Sequence, residues 1–478
     1  MLFNSYQFVF LFLPISLIIY YFLSKKISHN YSILWLIFCS LLFYSLYNFA
    51  SLKILLFSII VNFFLGSLLL KTEKKNTIFV FSIFFNIIYL VIFKYFNFLI
   101  QIINNILPVN LGYKDIELPL GISFFVFTQI TFLYQCYINK EKNKSFGKYL
   151  LFVSFFPHLL AGPILNYTDI KKQLDNKNNF KLRSLNFYLG TFLFIIGLSK
   201  KLLLADPLAI YVDQIHFFIE ENNIGLLESW LVSLAYTFQL YFDFSGYSDM
   251  AVGIAILFAL KIPFNFNSPY KSKNIISFWE NWHMSLTNFI KIYVYNPLSL
   301  FVGRYFFGLN SVIYKIFIYL PFLITFFIIG LWHGANYTFI IFGLMHGSFI
   351  IVNHVWRSIV QIYNFSLNRY LSWLITFLCV NFSFVIFRSK NIETAEKLYL
   401  SMLGQTREII NFTFEKVLAF IVFSFLIVLI LPNTIQFYNN IKNQKKKSLN
   451  LYFYMTIFLS LICLLKLKTP QTFIYIQF

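Results

Sequence analysis

Ile-Ile-Gly-Leu-Trp-His-Gly-Ala-Asn-Tyr-Thr-Phe (328–339) sets a histidine, His333, inside an almost wholly apolar run. An apolar stretch of this kind belongs in a lipid bilayer. An ionisable group at that depth is costly and marks a functional site by default. Desolvation disfavours the imidazolium, so the His333 ring is expected to be neutral at pH 7. A neutral imidazole is a competent general base, contributing a rate factor of about 10²–10⁴; the alternative is a helix-packing histidine bonded to a neighbouring carbonyl. Gly334 permits close backbone approach, and Asn336 can orient a substrate or the ring. Phe-Trp-Glu-Asn-Trp-His (278–283) repeats the Trp-His pairing at His283.

The 478 residues are 59% hydrophobic, 22% aromatic and 12% charged. A soluble chain averages about 25% charged residues, so the composition predicts a polytopic membrane protein. The net charge of +20 is read as basic cytoplasmic loops rather than nucleic-acid binding, for which no motif is present. Cys39, Cys136, Cys379 and Cys463 stand alone in apolar runs, as small core residues rather than a disulfide or zinc framework. Gln7–Leu23 lacks a preceding basic region and a following small-residue cleavage site, and is expected to be a retained transmembrane helix.

Candidate spans are 7–23, 31–48, 54–70, 78–102 and 119–138. Lysines alternate cleanly across their connections: Lys25 and Lys26 in loop 24–30; Lys71, Lys74 and Lys75 in loop 71–77; Lys140, Lys142, Lys144 and Lys148 in loop 139–149. This places the N-terminus outside and those loops in the cytoplasm. The next loop, 166–184, is also basic, so the apolar segment 147–165 does not cross simply. Pro157, Gly162 and Pro163 interrupt it, and it is expected to be broken or re-entrant. Later apolar runs are 186–205, 228–260, 313–331, 335–356, 371–387, 415–432 and 450–466, and Lys442–Lys447 reads as a cytoplasmic loop. Within 271–300, residues 278, 279, 282, 283, 286, 289 and 290 recur at helical spacing and predict one amphipathic helix at an interface or funnel. No soluble domain or linker is apparent. The expected domain is single, 1–478, with a catalytic core at 119–356 flanked by peripheral helices 1–118 and 371–478.

Other polar residues also stand in apolar surroundings. His346 lies thirteen residues past His333, about 20 Å along a helix, and reads as packing or support. His158 is a candidate cavity residue, and His354 is expected at a helix end. No His-x-x-x-His or His-Glu-x-x-His occurs, so no metal site is expected. In Gln-Leu-Tyr-Phe-Asp-Phe-Ser-Gly-Tyr-Ser-Asp (239–249), Asp243 and Asp249 face different directions on a regular helix, unless Gly246 bends it. Asp243 is read either as catalytic or as a tie to backbone amides or a distant basic side chain. No Gly-x-Ser-x-Gly elbow or phosphate-binding loop is present.

Taken in order along the chain, several motifs resemble the membrane-bound O-acyltransferase family, in its bacterial polysaccharide-acetylating branch of alginate and peptidoglycan O-acetyltransferases. They are Phe-Leu-Phe-Leu-Pro-Ile (10–15), Phe-Lys-Tyr-Phe-Asn-Phe (93–98), Leu-Pro-Leu-Gly-Ile-Ser-Phe-Phe (118–125), Phe-Pro-His-Leu-Leu-Ala-Gly-Pro-Ile (156–164), Tyr-Phe-Asp-Phe-Ser-Gly-Tyr-Ser-Asp-Met-Ala (241–251), Phe-Trp-Glu-Asn-Trp-His-Met-Ser-Leu (278–286), Gly-Leu-Trp-His-Gly-Ala-Asn (330–336) and Val-Ile-Phe-Arg (385–388). Glu280-Asn281, Lys291-Ile292, Ser299-Leu300 and Gln135 depart from the branch pattern.

The resemblance implies an all-α, polytopic transmembrane bundle with broken or re-entrant helices around a central tunnel. It implies that His333 is the catalytic histidine and that His283 occupies the second signature position. Trp332, Asn336, Trp282 and Asp243 are candidate supporting residues of the tunnel. The expected location is the bacterial inner membrane. The expected reaction moves an acetyl or other acyl group from a cytoplasmic thioester, such as acetyl-CoA, to an extracytoplasmic polysaccharide or to a periplasmic esterase-like relay protein. No permanently bound cofactor is expected. Asn336, Tyr337 or Thr338 are candidate oxyanion donors. D-alanyl transfer to teichoic acid is one alternative. A transporter or flippase, which also uses broken helices with buried polar groups, is another.

Overall fold

The computed structural model describes residues 1–140, 145–219, 222–306, 317–406, 414–443, 446–467 and 471–474; Lys142, Lys144 and Lys445 lie outside these. Every regular element among the described residues is helical. The first spans follow the apolar runs closely: Gln7–Lys26, His29–Ser45, Phe49–Lys71, Lys75–Ile106 and Ile122–Tyr137. The second helix stops short of the expected 48 because Asn48 caps the third, its Oδ1 accepting from the Ala50 and Ser51 N–H groups. Among the described residues, six helices are long and apolar enough to cross a membrane. A seventh is counted if the pair Glu415–Ile430 and Thr434–Asn443, bent by 46°, is one broken span.

Segment 147–165 is broken, as its prolines and glycine predict. Helix Phe146–Ser154 ends at Phe155, a short turn Phe156–Leu159 follows, and the chain then runs extended. Nearly all of it is buried, which satisfies the requirement that irregular backbone at membrane depth be covered. His158 does not present a free ring to a cavity: its Nε2 lies 2.8 Å from the Phe152 carbonyl.

The expected single helix through 271–300 is not formed. The chain makes Ile275–Asn281, breaks at Trp282 and His283, and resumes as Met284–Ile290, a π-helical turn Lys291–Tyr295, and Asn296–Tyr305. Phe278, Trp279, Trp282, His283, Leu286, Phe289 and Ile290, the positions read as one apolar face, are all buried, while Glu280 and Asn288 between them are exposed, so the stretch is amphipathic although broken. Gly246 does not interrupt its helix, which runs unbroken over Leu226–Leu257. Gly246 instead allows a backbone-close crossing: a Cβ on Gly197 would stand 2.4 Å from the Gly246 carbonyl oxygen.

The packing distinguishes two compact units. One comprises Met1–Ser199, Gly246–Phe264 and Tyr438–Gln477; the other comprises Lys200–Ser245 and Asn265–Phe437. In the first unit, helices Phe49–Lys71, Lys75–Leu90 and Ile122–Tyr137 are tied by a buried amide cluster. There Ser58 Oγ and Asn62 Nδ2 both donate to Gln129 Oε1, and Asn86 Nδ2 donates to Asn62 Oδ1 at 2.7 Å. Between apolar helices such bonds fix register where lipid provides little drive for association. The second unit contains all the candidate site residues.

Candidate active site

His333 is the last residue of helix Leu320–His333, and Asn336 caps the next helix, Tyr337–Tyr363. The two helices touch through backbone: a Cβ on Gly330 would lie 2.3 Å from the Phe339 carbonyl oxygen, and one on Gly343 would lie 2.2 Å from that of Phe326. Only glycine permits this approach, and it makes the elbow carrying His333 stiff. The imidazole, 4% exposed, is enclosed by aromatic rings. Centroid distances are 4.6 Å to Trp332, 4.9 Å to Phe387, 5.6 Å to Phe342 and 6.4 Å to Phe339.

His283 sits at the break between two short helices with φ 44° and ψ 52°, a left-handed conformation that strains any residue with a Cβ. Asn265 clamps it in place, its carbonyl accepting from Met284 N at 2.9 Å and its Oδ1 from Ser285 N at 3.2 Å. The ring, 1% exposed, lies edge-on to Phe244 at 4.7 Å and 5.7 Å from Trp332. The structure therefore brings both signature histidines to one indole, Trp332. Trp282 points elsewhere in the core, among Phe266, Phe278 and Phe384 at 5.0–5.5 Å.

Asp243 is paired with a distant basic side chain, the second of its two readings. Lys201 Nζ donates to Asp243 Oδ1 at 2.7 Å and bridges to Asp206 Oδ1 at 2.8 Å. Lys201 lies in the π-helical turn Lys200–Ala205 and Asp206 opens helix Asp206–Ile219, so the triad joins that corner to the long helix Leu226–Leu257. Phe244, next to Asp243 on the same helix, is the ring that lies against His283.

Asn336 uses both ends of its amide on backbone. Oδ1 accepts from Thr338 N at 3.2 Å and Nδ2 donates to the Lys390 carbonyl at 2.8 Å. Of the three candidate oxyanion donors, Tyr337 faces outward. Thr338 is wholly buried, and its hydroxyl has no hydrogen-bond partner among the described residues. His354 lies within helix Tyr337–Tyr363 and not at its end, with its ring 4.9 Å from Phe322. Among the described residues no three His, Cys, Asp or Glu side chains converge as a metal site.

Two groups escaped the sequence reading. Lys201 was hidden inside the apolar run 186–205, although a lysine there calls for a carboxylate partner. Trp279 and Ser383 hold His346 from two other helices, a relation that no local pattern records.

A buried imidazole enclosed by aromatic rings, at the end of an apolar helix, suits proton transfer to or from a substrate oxygen. The family model described as MBOAT, membrane-bound O-acyltransferase family, matches residues 33–394. The peptidoglycan O-acetyltransferase of Helicobacter pylori is 36% identical over 433 residues, covering 84% of this chain and 80% of the relative. A probable alginate O-acetylase of Pseudomonas syringae pv. tomato is 33% identical over 414 residues, 84% of this chain and 75% of the relative. The teichoic acid D-alanyltransferase of Bacillus subtilis is 28% identical over 286 residues, 57% of this chain and 69% of the relative. The chain belongs to the membrane-bound O-acyltransferase family, among the bacterial O-acetyltransferases related to the peptidoglycan and alginate O-acetylases, and is an integral membrane acyltransferase.

Proposed function

We propose that this enzyme moves an acetyl group from a cytoplasmic thioester to hydroxyls of an extracytoplasmic polysaccharide, directly or through a relay protein on the outer side of the bacterial inner membrane. The observation that carries the reading is the His333 ring, buried within a cage of Trp332, Phe342 and Phe387 at the end of a helix that packs against its successor through Gly330 and Gly343. The likeness to peptidoglycan and alginate O-acetylases supports the acceptor class.

In this scheme His333 takes the proton of the acceptor hydroxyl as its oxygen attacks the thioester carbonyl. Thr338 donates to the oxygen that becomes negative. The intermediate collapses, the C–S bond breaks, and His333 returns its proton to the leaving sulfur. Trp332 and His283 position the His333 ring, and the Lys201 triad with Asp243 supports His283 through Phe244. The donor, acetyl-CoA or a carrier-bound thioester, is a substrate and not a resident cofactor. A passage open to both membrane faces at His333 is part of the proposal, as is the outward N-terminus drawn from the lysine alternation.

The test is acyl transfer in proteoliposomes of the full chain, with radiolabelled acetyl-CoA inside and acceptor outside. His333→Ala should reduce ester formation to background while the protein stays monodisperse. A variant that keeps full transfer overturns the proposal. Counterflow of an acceptor without ester formation would establish a transporter instead. Likeness to teichoic acid D-alanyltransferases favours D-alanyl transfer as a second reading. A D-alanyl carrier-protein thioester that is used when acetyl-CoA is not would select it.

A further inference from the structure

His346 is fully buried, and both its ring nitrogens are engaged with side chains. The Trp279 indole Nε1 donates to Nδ1 at 3.1 Å, and Nε2 lies 2.8 Å from Ser383 Oγ. The Ser383 hydroxyl gives its single proton to the Val380 carbonyl at 2.7 Å. Ser383 Oγ must therefore accept from His346, so Nε2 carries the hydrogen. An indole N–H can only donate, so Nδ1 is bare. These two partners define one neutral tautomer, and protonation would set an Nδ1–H against the indole N–H. The rest of the ring is packed among Phe278, Phe326, Phe342 and Phe349.

Each bond reaches a different helix of the site. Trp279 lies on Ile275–Asn281, four residues before His283. Ser383 lies on Arg369–Arg388, four residues before Phe387, the ring 4.9 Å from His333. His346 shares helix Tyr337–Tyr363 with Phe342, which touches His346, His333 and Phe387. The segments that carry His283, the His333 elbow and the wall of its cage thus meet at one imidazole.

We propose that His346 is a positioning residue: as a neutral donor–acceptor clasp joining Trp279 to Ser383, it holds His283 and the Phe387 wall in register with His333. The proposal rests on the acyl-transfer reading above. It assigns His346 no contact with substrate and no part in proton transfer.

The experiment uses the full chain in proteoliposomes and measures kcat, KM for acetyl-CoA, and monodispersity. His346→Phe keeps an aromatic ring but offers neither bond. His346→Gln offers one acceptor and one donor. His346→Phe should lower kcat about ten- to a hundredfold, the scale of a small misplacement of reacting groups, with KM changed less than about twofold. His346→Gln should recover most of kcat. Trp279→Phe and Ser383→Ala should each lower kcat in the same direction, and together no further than His346→Phe. They decide the matter should His346→Phe not fold. Wild-type kcat in His346→Phe, or equal loss in His346→Phe and His346→Gln, overturns the clasp. His333→Ala is measured alongside: if it stays active, the acyl-transfer reading itself fails. If it is inactive while His346→Phe is fully active, only the clasp fails.

Discussion

Replacing Lys201 by methionine keeps most of the side-chain volume and removes the only positive charge of the buried triad. In the native structure Nζ stands 2.7 Å from Asp243 and 2.8 Å from Asp206, with the lysine and Asp243 side chains 2% exposed and Asp206 13%. Breaking a buried pair by removing one partner costs about 3–5 kcal/mol, because the other charge stays desolvated. Lys201→Met leaves two carboxylates in that position and belongs at the upper end of this range. Asp243→Asn leaves the Lys201–Asp206 pair intact and still offers an amide oxygen to Nζ. Its cost stays below about 1.5–3 kcal/mol, the worth of a whole hydrogen bond to a charged group, because only the carboxylate's charge is lost. The double variant, Lys201→Met with Asp243→Asn, leaves one carboxylate, the more exposed Asp206. It should therefore be more stable than Lys201→Met alone, the reverse of additive losses. The assay is the half-life of the monodisperse species at fixed temperature in one detergent, read by size-exclusion chromatography. The expected order is wild type, Asp243→Asn, the double variant, then Lys201→Met. A Lys201→Met protein as durable as wild type, or a double variant less durable than the single, refutes the electrostatic account.

Two further changes probe the elbow. Thr338→Val removes the buried hydroxyl at nearly constant shape and should lower kcat by about 10²–10³, the effect of losing one oxyanion donor, without shortening the thermal half-life. Undiminished kcat in proteoliposomes would take Thr338 out of the mechanism. Gly334→Ala would set a Cβ 2.2 Å from the Phe339 ring, which packs 5.0 Å from Phe387 and faces His333. Overpacking of this kind costs about 1–3 kcal/mol, and the displaced ring should reduce transfer as well as half-life. A Gly334→Ala enzyme with normal turnover would show that the cage tolerates movement.

The spans were legible because lipid imposes a length: about 20 apolar residues must pass before a polar one is affordable. The broken segment 155–164 was legible for an equally local reason, its Pro157, Gly162 and Pro163. The break at Trp282–His283 was not. No proline or glycine stands there, and the apolar positions continue at helical spacing because both sides of the break face core. What bends the chain is Asn265, well upstream of His283, holding two N–H groups beyond the break. The Lys201–Asp243 pair spans 42 residues and the His346–Ser383 bond 37, so neither leaves a periodic trace. His333 stood out in the sequence because it is a polar residue where none is cheap, and the structure places its ring in a buried aromatic cage. Its supporting partners could not, because each depends on which helices become neighbours.

This division follows from the physics of a membrane interior. Apolar helices gain little from leaving lipid for one another, so register must come from close packing and a few polar ties. The second unit places both kinds of device around its histidines. Gly330 and Gly343 bring backbones into contact beneath His333, where a methyl group would force the helices apart. Asn265 holds His283 in a left-handed conformation that a histidine would not adopt unaided, and strain of this type persists only where the surroundings over-determine it. The Lys201 triad ties the helix whose Phe244 lies against that ring, and His346 bonds Trp279, four residues before His283. Two imidazoles separated by a single indole are thus restrained from several independent directions. If His333 is the general base proposed above, it gains from such restraint because a base's efficiency depends on meeting the acceptor proton at hydrogen-bond distance in the transition state.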